Sequence, residues 1–156
     1  DLDVVLVDAA ERRCRFLSEV VAVLGLEHVH VRQARVEQLA GLGVDVVTAR
    51  ALAPLPRLVG WCLPLLRPGG ELLAIRGEHA EAELAQAAGE LAEQGASAWE
   101  LQRVFLPDTG DDASLPPTYV VRITAGPVRG VRRGEAQPPR PTGAARARRH
   151  RRRPGE

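Results

Sequence analysis

A chain of 156 residues that is 45% hydrophobic and 26% charged carries enough apolar mass for one substantial core and needs no second domain. No apolar stretch reaches the ~18 residues of a membrane span, and no basic-then-apolar leader opens the sequence, so the composition argues against membrane insertion and export and for a cytoplasmic protein. The net charge of +1 hides an asymmetry: residues 1–128 carry 11 Arg against 18 Asp and Glu, whereas residues 129–156 carry 10 Arg against 2 Glu, an acidic body followed by a basic tail.

The two cysteines, Cys14 and Cys62, lie far apart in apolar helical patterns, which suits buried thiols in a reducing compartment and gives no support for a metal site. There is no methionine, and the sequence opens already inside a strand pattern, Leu2 to Val7, ending at Asp8. The chain therefore reads as a piece of a longer protein. The next segment places Phe16, Leu17, Val20, Val21 and Leu24 on one helical stripe opposite Arg12, Arg13, Arg15 and Glu19. Gly25 supplies a left-handed residue to end that helix, with Leu26 as the apolar partner of a Schellman motif. Strand character resumes at Val29 to Val31.

Asp8 admits two readings. Asp8-Ala9-Ala10-Glu11 has the spacing of a capping box, in which Asp8 accepts from first-turn amides and Glu11 reaches back. An acidic residue ending the second strand of a nucleotide-binding sheet also accepts hydrogen bonds from ribose hydroxyls. The loop from Arg32 to Leu39 follows, placed to offer backbone amides to a base, while Glu37 taken alone reads as a solvated residue at a helix start.

Val44 to Pro54 is the segment around which the chain is organised: a β-branched run after the Gly41-Leu42-Gly43 turn reads as a strand buried on both faces, and it stops at Arg50. Arg50 then lies at a carboxyl edge, where open α/β sheets bind ligands, though a surface arginine following a strand is an equal reading. Leu55, Leu58, Val59, Cys62, Leu63 and Leu66 form another apolar helical face, which Pro64 should kink or end. Arg67-Pro68-Gly69-Gly70 is a turn by composition, Leu72 to Ile75 a buried strand, and Arg76-Gly77-Glu78-His79 a second polar cluster at a carboxyl end. Ala80 to Gln94 reads as a surface helix. Ala98 to Phe105 and Thr118 to Thr124 are strands joined without a crossover helix, so they should pair antiparallel. From Gly126 onward Pro, Gly, Ala and Arg leave no apolar period, and this arginine-rich tail should be disordered and attract phosphates.

This order of elements is the back half of a doubly wound, Rossmann-like α/β sheet, mostly parallel with a final antiparallel strand pair. The chain further resembles the RsmG (GidB) family of 16S rRNA guanine-N7 methyltransferases, which use S-adenosylmethionine (SAM). The resemblance rests on Val5-Leu6-Val7-Asp8 followed by Arg12-Arg13-Cys14-Arg15-Phe16-Leu17, on Arg35-Val36-Glu37, on Ala49-Arg50-Ala51, and on Leu66-Arg67-Pro68-Gly69-Gly70 leading to Arg76-Gly77, and covers roughly residues 2–124. It implies that Asp8, with Ala9 beside it, meets the SAM ribose, that Val36 and Glu37 frame the adenine, that Arg50 is the catalytic residue at the junction of SAM and substrate, and that Arg76 binds substrate. Residues 1–125 would then be a partial methyltransferase domain acting as a monomer on 16S rRNA of the small ribosomal subunit. The family's first strand and glycine-rich SAM loop are missing from it. That strand would lie between Val4–Val7 and Val44–Ala49, which leaves the fragment inactive alone, with a gap or an improvised pairing between those two strands. Arg76 stands where the family has lysine, and Pro116-Pro117-Thr118-Tyr119 replaces an arginine-histidine step.

Two other readings compete. An acid after the second strand also suits a dinucleotide-dependent oxidoreductase half-domain, which would need a hydride-handling residue in a second domain. A non-enzymatic RNA-binding module would act through the arginine tail.

Overall fold

The computed structural model describes residues 2–39, 41–50, 52–104 and 117–127. The arginine-rich tail from 128 onward lies outside them, as does the loop of residues 105–116. The elements in chain order are β1 (Val4–Asp8), α1 (Glu11–Val23), β2 (Val29–Gln33), a 3-10 turn (Val36–Gln38), β3 (Val44–Arg50), α2 (Leu55–Cys62), a second 3-10 turn (Leu63–Leu65), β4 (Leu66–Arg76), α3 (Ala80–Glu93), β5 (Ala96–Val104) and β6 (Thr118–Ala125).

Local chemistry explains most of the boundaries. Helix α1 ends in a full Schellman motif: Gly25 sits at φ 63°, its N–H donates to the Ala22 carbonyl, and the Leu26 N–H donates to the Val21 carbonyl. Helix α2 stops at Cys62, where Pro64 cannot donate and the chain tightens into a 3-10 turn. The segment around Pro68 is not a separate turn before a strand. It belongs to β4, as an irregularity in the ladder with β3, where Val44 opposes Leu66 but Val46 opposes Glu71. Gly70 permits this, because a Cβ there would stand 2.9 Å from the Asp45 carbonyl oxygen and 3.1 Å from that of Val44.

The strands form two sheets. β1 pairs with β2 in parallel, and the second sheet has the order β3-β4-β6-β5, with β3 and β4 parallel and β6 antiparallel to both β4 and β5. The antiparallel ending matches the sequence pattern. β1 and β3 are not paired with each other, as the sequence led one to expect, so among the described residues each keeps one edge without a ladder.

The core belongs to the second sheet. Leu55, Leu58, Val59 and Cys62 of α2 meet Ala87 and Leu91 of α3, Leu72 and Ala74 of β4, and Val121 and Ile123 of β6. Full burial of each of these leucines contributes on the order of 2 kcal/mol. β3 departs from the sequence pattern: Val47 and Ala49 pack on the core, while Val46 remains 47% exposed and Thr48 is exposed. β3 is an edge strand with one face covered, so its continuous apolar run does not become two-sided burial. The stripe on α1 is likewise only half used, with Leu17, Val20 and Val21 partly buried and Phe16 and Leu24 exposed. Cys14 is the one buried residue of β1, α1 and β2, and it and Cys62 are both free thiols. Burial pushes the Cys62 thiol up to about 11. Among the described residues no helix is long and apolar enough to cross a membrane.

Candidate functional site

The residues singled out from the sequence lie at the carboxyl ends of parallel strands, in two groups. At the end of β1, the Asp8 carboxylate receives the Ala10 N–H on Oδ1 at 2.7 Å and both arms of Arg13, Nε on Oδ2 at 2.6 Å and Nη2 on Oδ1 at 2.8 Å. Arg13 first, and then the Ala10 amide, hold this carboxyl below the usual carboxylate range. The capping box does not form: α1 is capped at Ala10 without a side-chain hydrogen bond, and Glu11 accepts from Arg15 at 3.0 Å instead of reaching back. An arginine one turn ahead competes successfully for Glu11, because an i,i+4 ion pair needs no distortion of the helix.

The Asp8 main chain ties the next loop to the same place. Its carbonyl accepts the Ala34 N–H at 3.0 Å and the Cys14 thiol at 3.3 Å. The 3-10 turn that follows carries Val36, packed against the core, and Glu37, which lies 3.8 Å from Arg35. Asp8, Ala9, Val36 and Glu37 therefore share one end of the β1–β2 pair. A carboxylate offers about four lone-pair positions. Three of those on Asp8 are occupied, which leaves one on Oδ2 for a further donor. Arg13 is 69% exposed, so it can swing away if a ligand requires both oxygens.

The second group stands on β3 and β4. Arg50 ends β3 opposite Ile75, one residue before Arg76. The Arg50 side chain is exposed and makes no hydrogen bond or ion pair with another described residue. Arg76 differs. Its side chain is only 10% exposed, Nη2 donates to the Ala53 carbonyl at 2.9 Å, and Nε lies 3.4 Å from Glu83 Oε2. The other oxygen of Glu83 accepts the Leu55 N–H at 2.7 Å. The sequence placed Arg76 against substrate, whereas its donors face inward to a loop carbonyl and to α3. A shallow depression of about 330 Å³, lined by Leu2 and residues 25–29, lies at the amino ends of β1 and β2, away from both groups. The site is an edge rather than that cavity.

Sequence reasoning missed Arg13 as the partner of Asp8, although an arginine five residues on, in the first turn of a helix, is a readable signal. It also missed Glu83, 28 residues from the amide it accepts, for which no local signal exists.

Comparison with known proteins gives this edge a context. Residues 1–106 match the family model described as GidB, rRNA small subunit methyltransferase G. The ribosomal RNA small subunit methyltransferase G of Thermobifida fusca is 50% identical over 125 residues, covering 80% of this chain and 51% of that protein. The Streptomyces coelicolor protein of the same name is 44% identical over 128 residues, covering 81% of this chain and 52% of its own length. The chain thus spans about half the length of these relatives. Among solved structures, a 16S rRNA (adenine(1408)-N(1))-methyltransferase from Catenulisporales acidiphilia superposes with a TM-score of 0.64 at 16% identity, over 81% of this chain and 75% of that one. A SAM-dependent O-methyltransferase from Thermotoga maritima gives 0.57 at 13% identity, over 78% and 49%. These distant likenesses establish the α/β methyltransferase fold. Together with a match over residues 1–106 that takes in Asp8, Glu37, Arg50 and Arg76, they show that this chain belongs to the GidB family, rRNA small subunit methyltransferase G.

Proposed function

We propose that the full-length protein transfers a methyl group from SAM to N7 of a guanine in 16S rRNA, acting in the cytoplasm as a monomer. One observation carries the reading: a chain of this family places Asp8 and the Ala34–Glu37 segment together at one pair of parallel strand ends, and an unpartnered Arg50 at the other. The residues fit the cofactor. Asp8 keeps an accepting position for a ribose hydroxyl, with Ala9 beside it, and Val36 and Glu37 offer one apolar and one polar contact for an adenine. When bound, SAM supplies an electrophilic methyl group on a sulfonium.

Guanine N7 has a free lone pair and no proton to remove, so the protein has to orient the base and exclude competing geometries rather than supply a general base. We assign that role to Arg50, whose charge stands at a strand end without an internal partner. Reaching N7 in structured RNA requires an unstacked base, because the A-form major groove is too deep and narrow for side chains. Arginines of the tail, outside the described residues, would add phosphate contacts without choosing the base.

We also infer that one more parallel strand lies between β1 and β3 in the full-length protein. Each has one unladdered edge, and a single strand would pair with both. The glycine-rich turn after that strand would receive the methionine half of SAM.

The test uses full-length protein, radiolabelled SAM and small subunits lacking the modification. Label should appear at N7 of a guanine in 16S rRNA, and Arg50→Ala should lower kcat/KM at least ~10-fold, roughly 1.4 kcal/mol, with Tm unchanged. Label absent from 16S rRNA overturns the function. Undiminished activity in Arg50→Ala returns that residue to the surface.

A further inference from the structure

We propose that Arg76 and Glu83 are positioning residues: a part-buried clamp on Ala53 and Leu55 that limits where Arg50, three residues before Ala53, can stand. The proposal rests on the methyl-transfer reading for its consequence in catalysis. The clamp itself is a matter of geometry.

Helix α2 begins after Pro54, which has no side-chain acceptor to cap it, and no acidic residue stands in its first turn. Its exposed N–H groups require a partner. The partner comes from another helix, as Glu83 of α3 accepts the Leu55 N–H at 2.7 Å. A carboxylate is the favoured group at that position, because it meets both the unpaired amide and the positive end of the helix. Arg76 closes the arrangement from β4, one arm on the Ala53 carbonyl at 2.9 Å and Nε 3.4 Å from Glu83. That Nε is buried without a hydrogen bond of good geometry, which leaves the ion pair with Glu83 as its only compensation.

Arg50 is consequently held from two directions. Behind it, β3 is laddered to β4 through the Arg50–Ile75 register. Ahead of it, Ala53 and Leu55 are pinned by Arg76 and Glu83. The guanidinium of Arg50 is left exposed at the end of a laddered strand, with the next held residue three positions on, which favours a reaction that depends on orientation. An arginine at the end of β4 that is only 10% exposed and turned to Ala53 and Glu83 is better suited to this work than to gripping RNA.

The experiment compares full-length wild type with Glu83→Gln, Arg76→Lys, Arg50→Ala and the Glu83→Gln/Arg50→Ala pair. Gln keeps the shape of Glu83 and an oxygen for Leu55 but loses the charge, and Lys keeps the charge of Arg76 but not its fork. Both single variants should speed amide exchange at Leu55, lower kcat about tenfold and leave KM for SAM within about twofold. The double variant should be no slower than Arg50→Ala, because the clamp acts through Arg50. Losses that multiply in the double variant, or faster exchange at Leu55 with unchanged kcat, overturn the positioning role. Exchange at Leu55 that ignores both substitutions overturns the clamp. A wild type that leaves 16S rRNA unmethylated while Leu55 still depends on Glu83 overturns the methyl-transfer reading and supports the clamp.

Discussion

The unit β1–α1–β2 and the unit β3 to β6 are built from similar proportions of apolar residues but bury them very differently. In the first, Cys14 is the one buried side chain, and Val5, Val7, Phe16, Val23 and Leu24 are exposed. In the second, two helices and four strands enclose a cluster in which Leu55, Leu58, Leu72, Leu91, Val121 and Ile123 are fully buried. The site residues divide along the same line. Asp8 is held by an exposed arginine on the thinly packed unit, whereas the chain beyond Arg50 is held by Arg76, only 10% exposed, and the part-buried Glu83. The difference teaches that a parallel βαβ unit covered on one side carries little stability of its own, since among the described residues β1 meets a strand on one edge alone.

Leu58→Ala tests this contrast most severely. It should destabilise the chain by about 2–5 kcal/mol in urea denaturation, because the site is enclosed on all sides and cannot collapse. A cost below about 1 kcal/mol would mean that the second unit is no better packed than the first.

Gly70→Ala should come next, at about 1–3 kcal/mol. The added Cβ meets three backbone carbonyl oxygens, of Val44, Asp45 and Arg67, none of which can rotate away. A neutral result would show that β3 slides freely on β4, and would weaken the case for a rigid platform under Arg50.

Asp8 gives a smaller effect with a definite sign. Its folded pKa is depressed chiefly by the Arg13 hydrogen bonds, so its contribution to stability is present above the unfolded pKa and is lost as pH falls through the folded one. Arg13→Ala should raise the Asp8 titration midpoint, read by carboxyl carbon NMR, and narrow that window from the acid side. An unmoved midpoint would assign the depression to the Ala10 amide alone.

Phe16→Ser should change stability least, within about 0.5 kcal/mol, because the ring is 62% exposed in the chain described here. A large loss would show that the first unit buries more than its surface suggests. Repeating the substitution in the full-length protein sharpens the point, since a greater cost there would mean that other residues cover this face.

Much of the fold was legible because it follows from neighbours in sequence. Gly25 ended α1 by the expected hydrogen bonds, Pro64 ended α2, and the apolar positions of α2 all turned inward. The positions of Asp8, Val36, Glu37 and Arg50 at carboxyl strand ends were also readable, as each closes or follows an apolar run. The capping box was misread, because Glu11 has both a helix terminus three residues behind it and Arg15 four residues ahead, and sequence alone does not rank the two as partners. The two-sided burial of β3 was misread because an apolar run records what a strand could bury and not which neighbours arrive to cover it.

By itself, then, the sequence determined the order of the elements, where most of them stop and which edge gathers the polar residues, because those outcomes depend on interactions spanning a few residues. Only the tertiary structure decided that Arg76 turns inward to Ala53 and that Glu83 caps a helix 28 positions away. Such pairings are settled by which buried donors and acceptors must find partners once the chain has closed on itself, and no local pattern encodes that requirement.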